Sequence, residues 1–372
     1  MLTALLLALV AGSIVYCILT IVAARDYLAT KPVATVVEPI SVLKPLHGAE
    51  DQLERNLRTF FTQRYPAYEI LFAVRQADDP AAKVVAKLQT EYPAVPTRLI
   101  VTGEPPYPNA KVYSLDQMKS AARYELLVMS DSDIRVTPDL LWTVTAEFAD
   151  PRVGLTTCPY RAVPGDGIWS KLEALGMNTQ FLGGVLVARM LEGMRFALGP
   201  TIAARKSVLD EMGGFDRLKD YLAEDFVMGK FAAEHGHRVL LSSYVIEHHI
   251  GSQDFASNLT HRLRWARSTR CSRRAGYFGE LFTMPLPLAL LLWLWAPHLW
   301  AVATLAVAMR AFSALVCAGW VLDDALTARN WWLLPLQDVM AFAIWIAGFF
   351  GTHIAWRGRR YLLQPDGRFS LD

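Results

Sequence analysis

Long apolar runs at both ends of the chain enclose a middle part in which short apolar segments alternate with amphipathic ones. Residues 2–23 are uncharged, and residues 285–322 and 332–354 contain only a few polar side chains. About 20 consecutive apolar residues are enough to cross a bilayer as a helix. The pattern therefore predicts an N-terminal membrane anchor and a C-terminal membrane region of two or three spans. Arg310 and Asp338 lie inside the apolar runs, and we expect them to pair with each other.

The charges that flank the apolar runs predict which side of the membrane each part faces. No basic residue precedes the first run, which is longer than the apolar core of a signal peptide, so a retained anchor over residues 1–24 is favoured over a cleaved signal. Arg25 follows this run, and arginines are frequent in the tail, residues 356–372. The excess of positive charge on cytosolic segments then places the middle part and the basic tail in the cytosol. An even number of crossings is expected between them, within residues 284–355.

The middle part, residues 37–280, has the periodicity of a mixed α/β domain. Strands are predicted at residues 40–43, 68–74, 98–101 and 126–130, and helices at residues 51–63, 81–91 and 115–123. Strands and helices that alternate at this spacing are typical of βαβ units, so we expect a mostly parallel sheet. Further strands are predicted at residues 153–158, 198–204 and 237–245, and a basic helix at residues 261–274. The long apolar stretch at residues 169–192 is expected either to lie against the bilayer or to be buried core.

Composition and charge exclude several classes of protein. The formal net charge is +2, and no run of Lys and Arg is interleaved with aromatic residues, so nucleic acid is not an expected partner. The four cysteines form no C-x-x-C pair, which argues against a disulfide framework and against a zinc site. The chain is therefore expected to be an integral membrane protein with a reduced, cytosol-facing domain, and its oligomeric state is not predicted.

Two carboxylates with one residue between them follow the strand at residues 126–130. Ligands of open α/β sheets bind beyond the carboxyl ends of the strands, which is where Asp131 and Asp133 lie. Carboxylate oxygens suit Mg²⁺ or Mn²⁺, and such an ion can also bind a diphosphate. The alternative interpretation is an acidic turn after a strand, because Asp and Ser are ordinary turn residues.

Several separated motifs resemble the ceramide glucosyltransferase family, which is glycosyltransferase family 21 and has a GT-A fold. The matching stretches, in chain order, are Ser41-Val42-Leu43-Lys44-Pro45-Leu46, Asp78-Asp79-Pro80, Ser130-Asp131-Ser132-Asp133-Ile134-Arg135-Val136, Ala223-Glu224-Asp225-Phe226, Arg264-Trp265 and Trp356-Arg357-Gly358-Arg359-Arg360-Tyr361. The first half of the chain is also similar to the bacterial glycosyltransferases of hopanoid synthesis. The resemblance implies a Rossmann-like, mostly parallel catalytic sheet between N-terminal and C-terminal transmembrane helices.

The resemblance implies a donor site at the ends of the first, second and fourth strands. Asp131 and Asp133 would hold Mn²⁺ or Mg²⁺ against the diphosphate of a UDP-sugar. Asp78 or Asp79 would contact the uracil or the ribose, although an Asp-Asp-Pro sequence is also a typical helix start. The positive charge of Lys44 and of Lys111 would help to neutralise the phosphates, although an ordinary solvated lysine is also expected at position 111.

The resemblance also implies an acceptor site. Asp225 would be the general base, with Glu224 beside it, unless the two are only an acidic helix start. The segment that begins at His261 occupies the place of a Q/R-x-x-R-W motif, and its first position departs from that pattern. Arg264 would meet the diphosphate and Trp265 would line the pocket. The alternative for this segment is a basic amphipathic helix on a membrane surface.

The implied activity is inverting transfer of one hexose from a UDP-sugar to a hydroxyl of a membrane lipid. The first candidate pair is UDP-glucose with ceramide, and the alternative is UDP-N-acetylglucosamine with bacteriohopanetetrol. A processive polysaccharide synthase and a non-catalytic membrane scaffold are the remaining alternatives. The expected partners are the UDP-sugar, the acceptor lipid and the bilayer, and the expected location is the inner membrane of a bacterium.

Overall fold

The computed structural model describes residues 1–30, 37–49, 52–356 and 359–372. Its helices are α1 Leu2–Ala29, α2 Leu53–Phe61, α3 Pro80–Glu91, α4 Ala110–Ala121, α5 Leu140–Glu147, α6 Ile168–Leu175, α7 Leu182–Glu192, α8 Lys206–Glu211, α9 Glu224–Glu234, α10 Phe255–Ser272, α11 Arg274–Gly279, α12 Pro285–Trp295, α13 Trp300–Leu315, α14 Ala325–Asn330 and α15 Leu334–Gly348. Its strands are β1 Ile40–Pro45, β2 Tyr68–Val74, β3 Thr97–Val101, β4 Leu126–Ser130, β5 Ile134–Arg135, β6 Val153–Thr157, β7 Tyr160–Val163, β8 Thr201–Arg205, β9 Arg238–Leu241, β10 Ile246–His249, β11 His353–Trp356, β12 Arg359–Leu363 and β13 Phe369–Leu371.

A seven-stranded sheet forms the centre of the middle part, with the strand order β3-β2-β1-β4-β8-β6-β9. β1, β2, β3 and β4 are parallel, and β6 pairs in parallel with β9, whereas β8 runs antiparallel to both β4 and β6. The prediction of a mostly parallel sheet is thus confirmed. The shared direction of β1, β2 and β4 brings their carboxyl ends to one edge, which is the edge that carries the predicted motifs.

Both faces of the central sheet are covered, which explains why its inner strands are mostly apolar. Val42 and Val128 belong to one core cluster, to which α2 and α3 contribute. The adjacent residues Leu43 and Leu127 point to the opposite face and pack in the cluster of α4. Successive side chains of a strand point to opposite faces, so each strand contributes to both cores.

Two smaller sheets flank the central one. The first has the order β5-β10-β7, with β10 antiparallel to β5 and parallel to β7. The second joins β11, β12 and β13 in antiparallel pairs at the end of the chain. The tail was predicted only as a basic segment, and the structure corrects this: Tyr361, Leu363 and Phe369 are buried and pack with Leu222 of the middle part.

Helices at both ends of the chain form one apolar bundle. α1 and α13 pack side by side, and Leu6, Val10, Ala303 and Ala306 are buried between them and α12. Among the described residues, three helical segments are long and apolar enough to cross a membrane, and a bent pair formed by Arg274–Thr283 and Pro285–Trp295 brings the number to four. The apolar ends predicted as membrane segments are therefore helical.

Several element boundaries differ from those predicted. The first helix continues five residues beyond the predicted anchor and ends at Ala29, and α4 begins at Ala110, so that Lys111 lies in a helix and not in the loop before it. The long apolar stretch at residues 169–192 is not one regular helix, because a π-helical turn at Gly176–Phe181 separates α6 from α7. Of its two interpretations, burial is favoured, since most of its side chains are buried in the core. The predicted start of α2 at Asp51 and the tail residue Arg357 lie outside the described residues.

Candidate active site

The D-x-D segment begins at the end of β4 and is held by hydrogen bonds on both sides. The Asp131 amide donates to the carbonyl of Pro200 at 3.0 Å, and the Asp133 carbonyl accepts from the His249 amide at 2.9 Å. These two bonds attach the segment to the strand start of β8 and to β10. The two carboxylates therefore project from a fixed backbone at the edge of the central sheet.

Asp131 and Asp133 have different partners. The Asp131 carboxylate lies 2.7 Å from Lys111 Nζ, and Asp133 Oδ2 lies 3.0 Å from His248 Nε2. Burial raises the pKa of Asp131, with the Lys111 ammonium opposing that rise. Burial would also raise the pKa of Asp133, but the imidazole of His248 and the Lys44 ammonium hold it below its ordinary value. Asp133 Oδ1 is buried and has no hydrogen-bond partner among the described residues, so it is free to accept a ligand.

Lys111 connects the D-x-D segment to the acidic start of α9. Its ammonium lies 3.2 Å from Glu224 Oε1 as well as 2.7 Å from Asp131. Asn109, which caps α4 by accepting from the Val112 amide, also donates to Glu224 Oε2 at 3.4 Å. Burial would lower the pKa of Lys111, but the charges of Asp131 and Glu224 raise it well above its ordinary value. The ammonium therefore stays charged at neutral pH between two carboxylates.

Asp225 lies next to this charge cluster at the first turn of α9. Burial and the charge of Glu224 raise the pKa of Asp225 to about 6, against the opposing effect of Lys111. Gly199 lies directly against it, because a Cβ atom at position 199 would lie 2.7 Å from Asp225 Oδ2. A carboxylate with a pKa near neutrality is suited to accept a proton at physiological pH.

Gly199 gives a direct test of this placement. Replacing Gly199 by Ala is expected to displace the Asp225 carboxylate and to lower kcat by about 10²-fold, the usual effect of moving a reacting group by about 1 Å. The matched control is Gly279→Ala, where the added Cβ meets open space. The measurement is kcat for both variants. Equal turnover in Gly199→Ala and Gly279→Ala would contradict a role for the Asp225 position.

Two adjoining clefts open at this edge of the sheet. The first is lined by Pro45, Lys111, Leu115, Met129, Ser130, Asp131, Gly199, Ile202, Glu224, Asp225 and Met228. The second is lined by Pro45, Leu46, His47, Arg75, Thr102, Gly103, Pro105, Ala110, Lys111, Tyr113 and Ser114. Pro45 and Lys111 line both clefts, so a ligand that extends from one to the other passes the Lys111 ammonium.

The other predicted donor-site residues lie around these clefts in different roles. Asp79 caps α3 by accepting from the Ala81 amide at 2.9 Å, and it also accepts from the Gly48 amide at 3.0 Å. Asp78 is exposed beside it.

Lys44 is fully buried, and its ammonium donates to the Asp131 carbonyl and to Ser130 Oγ at 3.3 Å. Burial lowers the pKa of Lys44 to about 7. Lys44 therefore stabilises the backbone of the D-x-D segment through these hydrogen bonds. Direct contact of its ammonium with phosphate stays a prediction.

The predicted acceptor-site residues of the basic helix lie on α10. His261 Nδ1 lies 2.8 Å from Glu173 Oε1, and its ring lies 4.8 Å from that of Trp265. Trp265 packs against the larger core cluster, and the Arg264 guanidinium lies 6.0 Å from the ring of Trp356. The helix is attached to the catalytic domain through these contacts and is not only a basic surface helix.

Three residues organise the site through pairings that the sequence did not predict. His248 pairs with Asp133, Glu173 pairs with His261, and Asn109 joins α4 to Glu224. Asn109 could have been found from its position before a helix start, where Asn is a preferred cap. The other two pairings join residues 115 and 88 positions apart, and local pattern carries no signal for them.

Comparisons with known proteins agree on one class. The model of the family described as glycosyl transferase family 21 matches residues 4–369. Ceramide glucosyltransferase 1 of Caenorhabditis elegans is 30% identical over 230 residues, which are 61% of this chain and 49% of that protein. Ceramide glucosyltransferase 3 of the same organism is 29% identical over 229 residues, with 61% and 50% covered. The chain spans about half the length of these curated relatives.

A solved structure shares the fold. The mannosyltransferase PcManGT from Pyrobaculum calidifontis, in complex with GDP-Man and Mn²⁺, superposes with a TM-score of 0.57 and 18% identity. The superposition covers 94% of this chain and 99% of that chain. The predicted GT-A fold is thereby confirmed, and the resemblance of the fold extends over nearly the whole chain.

Proposed function

This chain belongs to glycosyl transferase family 21, and from that premise we propose that it moves one hexose from a UDP-sugar to a hydroxyl of a membrane lipid. Glucose and ceramide are the proposed pair. The observation that carries the proposal is the position of Asp225, whose pKa is raised to about 6, in the same cleft as Asp131 and Lys111. A base and a site for an anionic leaving group lie side by side there, as transfer to a hydroxyl requires.

The alternatives have less support. The matched relatives are named ceramide glucosyltransferases, which does not favour the hopanoid pair. A processive polysaccharide synthase needs a membrane bundle that forms a channel, and only three or four candidate spans are found among the described residues. A scaffold without catalysis does not require a carboxyl with a raised pKa beside the Lys111 ammonium, a combination typical of active sites.

The two clefts suggest how the substrates lie. The nucleoside would occupy the second cleft near Asp79, and the diphosphate would pass Lys111 to reach the first cleft. The lipid hydroxyl would approach Asp225, which accepts its proton while the oxygen bonds to the anomeric carbon and UDP leaves from the opposite face. The configuration at that carbon is then inverted. Lys111 keeps its positive charge and stabilises the charge that develops on the leaving diphosphate.

The residues present fit a divalent cation at the D-x-D segment. Asp131 and Asp133 supply hard oxygen donors, and Asp133 Oδ1 has no other partner among the described residues. No group of three or more His, Cys, Asp or Glu side chains gathers into a complete metal site within the described ranges. Mg²⁺ in particular is commonly held by one or two carboxylates together with substrate phosphates, which this set allows. When bound, Mn²⁺ or Mg²⁺ would act as a Lewis acid that neutralises charge on the diphosphate.

The apolar helices support a membrane location for this activity. We place the catalytic domain on the cytosolic side of a bacterial inner membrane, where a UDP-sugar and a lipid acceptor meet. The oligomeric state is not part of the proposal.

The proposal is tested by the lipids that the protein makes. The full chain is expressed in a host supplied with both ceramide and bacteriohopanetetrol, and the extracted lipids are identified by mass spectrometry beside an Asp225→Asn control. A hexosyl-ceramide that depends on Asp225 is the expected product. If the product is an N-acetylhexosaminyl hopanoid instead, the substrates are UDP-N-acetylglucosamine and bacteriohopanetetrol. If neither glycolipid forms, the proposal of lipid glycosylation is contradicted.

The raised pKa of Asp225 predicts the pH dependence of transfer. A general base must be ionised, so kcat/KM is expected to rise with pH through about 6 and to level off above it. Because the Glu224 charge contributes to the raised pKa, Glu224→Gln is expected to move this rise to lower pH. The measurement is kcat/KM from pH 4.5 to 8. A rate that falls across this range, or an unchanged midpoint in Glu224→Gln, would contradict the assignment.

A further inference from the structure

The segment Ala325–Gly348 has the least apolar composition of the three candidate spans among the described residues. Its most apolar stretch is less apolar than those of Leu2–Ala29 and Pro297–Val321. Length and composition alone would make it a third crossing. The contacts at its two ends give a different result.

The two other candidate spans define both surfaces of the membrane region. At one end Trp295 donates to Thr3 Oγ1 at 3.2 Å, which joins the start of α1 to the end of α12. At the other end Tyr27 donates to the Ser242 carbonyl of the catalytic domain at 2.6 Å, and Leu322 is buried in the same core cluster. Pro297–Val321 has 25 residues, about 37 Å of helix, which matches a bilayer core of about 30 Å with its interfaces. There is thus a far surface at Thr3 and a near surface at the catalytic domain.

The start of the segment lies at the near surface. Arg161 on β7 donates to the carbonyls of Leu322 at 3.1 Å and Asp323 at 2.8 Å. Asp324 caps α14 and accepts from Asn178 Nδ2 at 3.1 Å. Three groups just before the helix, two backbone carbonyls and one carboxylate, are therefore bound to the catalytic domain or its π-helical turn.

The end of the segment lies at the near surface as well. On α10, Arg267 donates to the carbonyls of Phe350 at 3.1 Å and His353 at 2.6 Å, and Arg270 donates to those of Phe349 and Gly351. These are the carbonyls that follow α15, where cationic side chains are stabilising partners. The arginines of the basic helix thus hold the end of the segment beside the catalytic domain.

Between its ends the segment packs against α6 of the catalytic domain and against the crossing helix α13. Leu333 packs in one buried cluster with Leu172 and Leu175 of α6. Arg310 and Asp338 pair at 2.9 Å in the interior, which confirms their predicted pairing. Since 24 residues make about 36 Å of helix, and since both ends are held by one domain, neither end can reach the far surface.

From Trp332 onward the outward side of the segment is apolar. Trp332, Leu336, Val339, Ile346 and Phe350 are 42 to 68% exposed. An exposed apolar stripe of this length is unfavourable in water. Because the chain has two other candidate membrane spans, we expect lipid to cover the stripe. Tryptophan side chains concentrate where a membrane meets water, which suits Trp332 at the near surface.

We infer that Ala325–Gly348 does not cross the bilayer but lies in the membrane interface on the side of the catalytic domain, with its exposed stripe on the lipids of that leaflet. The chain after the catalytic domain then crosses twice, through the bent pair Arg274–Thr283 and Pro285–Trp295 and through Pro297–Val321. The tail returns to the side of the catalytic domain, which agrees with the even number of crossings expected from its arginines. The inference does not depend on which lipid is glycosylated.

Thiol labelling from one side of the membrane tests this topology. In full-length protein with Cys271 replaced by Ser, single cysteines replace the exposed residues Arg329, Asp366 and His298. Each variant is treated with a membrane-impermeant maleimide in inside-out and in right-side-out vesicles. Arg329→Cys and Asp366→Cys are expected to react in the same vesicles, and His298→Cys only in those of opposite orientation.

Reaction of Arg329→Cys and Asp366→Cys in vesicles of opposite orientation would overturn the inference, because the helix between them would then cross. If a thiol fails to react in both orientations, a protease-cleavable epitope inserted between Ala328 and Arg329 gives the same comparison against an epitope after Asp372. Cleavage of both epitopes from one side supports the interfacial helix, and cleavage from opposite sides contradicts it.

Discussion

Replacing Asp225 by Asn is expected to reduce turnover on the order of 10³-fold, the usual range for loss of a general base, while UDP-sugar binding stays nearly intact. The amide cannot accept the proton of the acceptor hydroxyl, but it occupies the same volume against Gly199. Isothermal titration with UDP-sugar and a turnover assay on the same preparation separate binding from transfer. Turnover within tenfold of the wild type would remove Asp225 as the base.

The Asp225→Asn variant is also expected to be folded. Burial is the main reason that the pKa of this carboxyl is raised to about 6. A carboxyl whose pKa is higher in the folded than in the unfolded chain favours folding when protonated, and this contribution is lost as pH rises from about 4 to about 6. At neutral pH the substitution removes a destabilising charge, so loss of activity would not reflect unfolding. Asp216→Asn is the matched control, because Asp216 is exposed and pairs with Lys219 at the surface.

Replacing Asp131 by Ala is expected to abolish the part of UDP-sugar binding that depends on Mn²⁺, with a loss of about 10²-fold in affinity if one metal ligand is removed. The same change leaves Lys111 with Glu224 as its remaining carboxylate partner in the cleft. The measurement is the dissociation constant of UDP-sugar with and without Mn²⁺. Asp139→Ala is the control, because that side chain pairs with Arg64 at the surface.

The Asp131→Ala result is interpreted through the difference between the two metal conditions. Loss of the Mn²⁺ effect with weak residual binding supports a cation at the D-x-D segment. Binding that is equal with and without Mn²⁺ in the wild type would contradict the metal, and unchanged binding in Asp131→Ala would contradict any role of this carboxylate in donor binding.

The periodic part of the sequence predicted the fold well. Strands β1, β2 and β4 are short apolar runs bounded by polar residues, and burial on both faces is what makes such runs recognisable. The strands of the tail were harder to predict. In β12 only Tyr361 and Leu363 point inward, and the adjacent Arg359 and Arg360 make the segment look like a basic tail. Its strands are fixed by contacts with Leu222, more than 130 positions earlier, and a local pattern does not contain such contacts.

The sequence indicated the carboxylates of the candidate site and Lys111, but not how these side chains pair. Asp131, Asp133 and Asp225 follow strands or start a helix, and these positions are visible in the sequence. The lysine that joins Asp131 to Glu224 was placed in a loop, and the side chain that pairs with Asp133 was not assigned to the site. Tertiary packing decides the pairings of Lys111 and of His248. It also directs the Lys44 ammonium to the backbone of the D-x-D segment instead of into the cleft.

The stereochemistry of transfer by the purified protein tests whether a lipid hydroxyl, activated by Asp225, attacks the sugar directly. The protein is incubated with ceramide, Mn²⁺ and UDP-glucose, whose anomeric bond is α, and the lipid product is analysed by proton NMR. Because one direct displacement inverts the α-linked donor, we expect a β-linked glucosyl-ceramide with the wild type and none with Asp225→Asn. An α-linked product, or release of free glucose with no lipid product, would contradict direct attack by a lipid hydroxyl activated by Asp225.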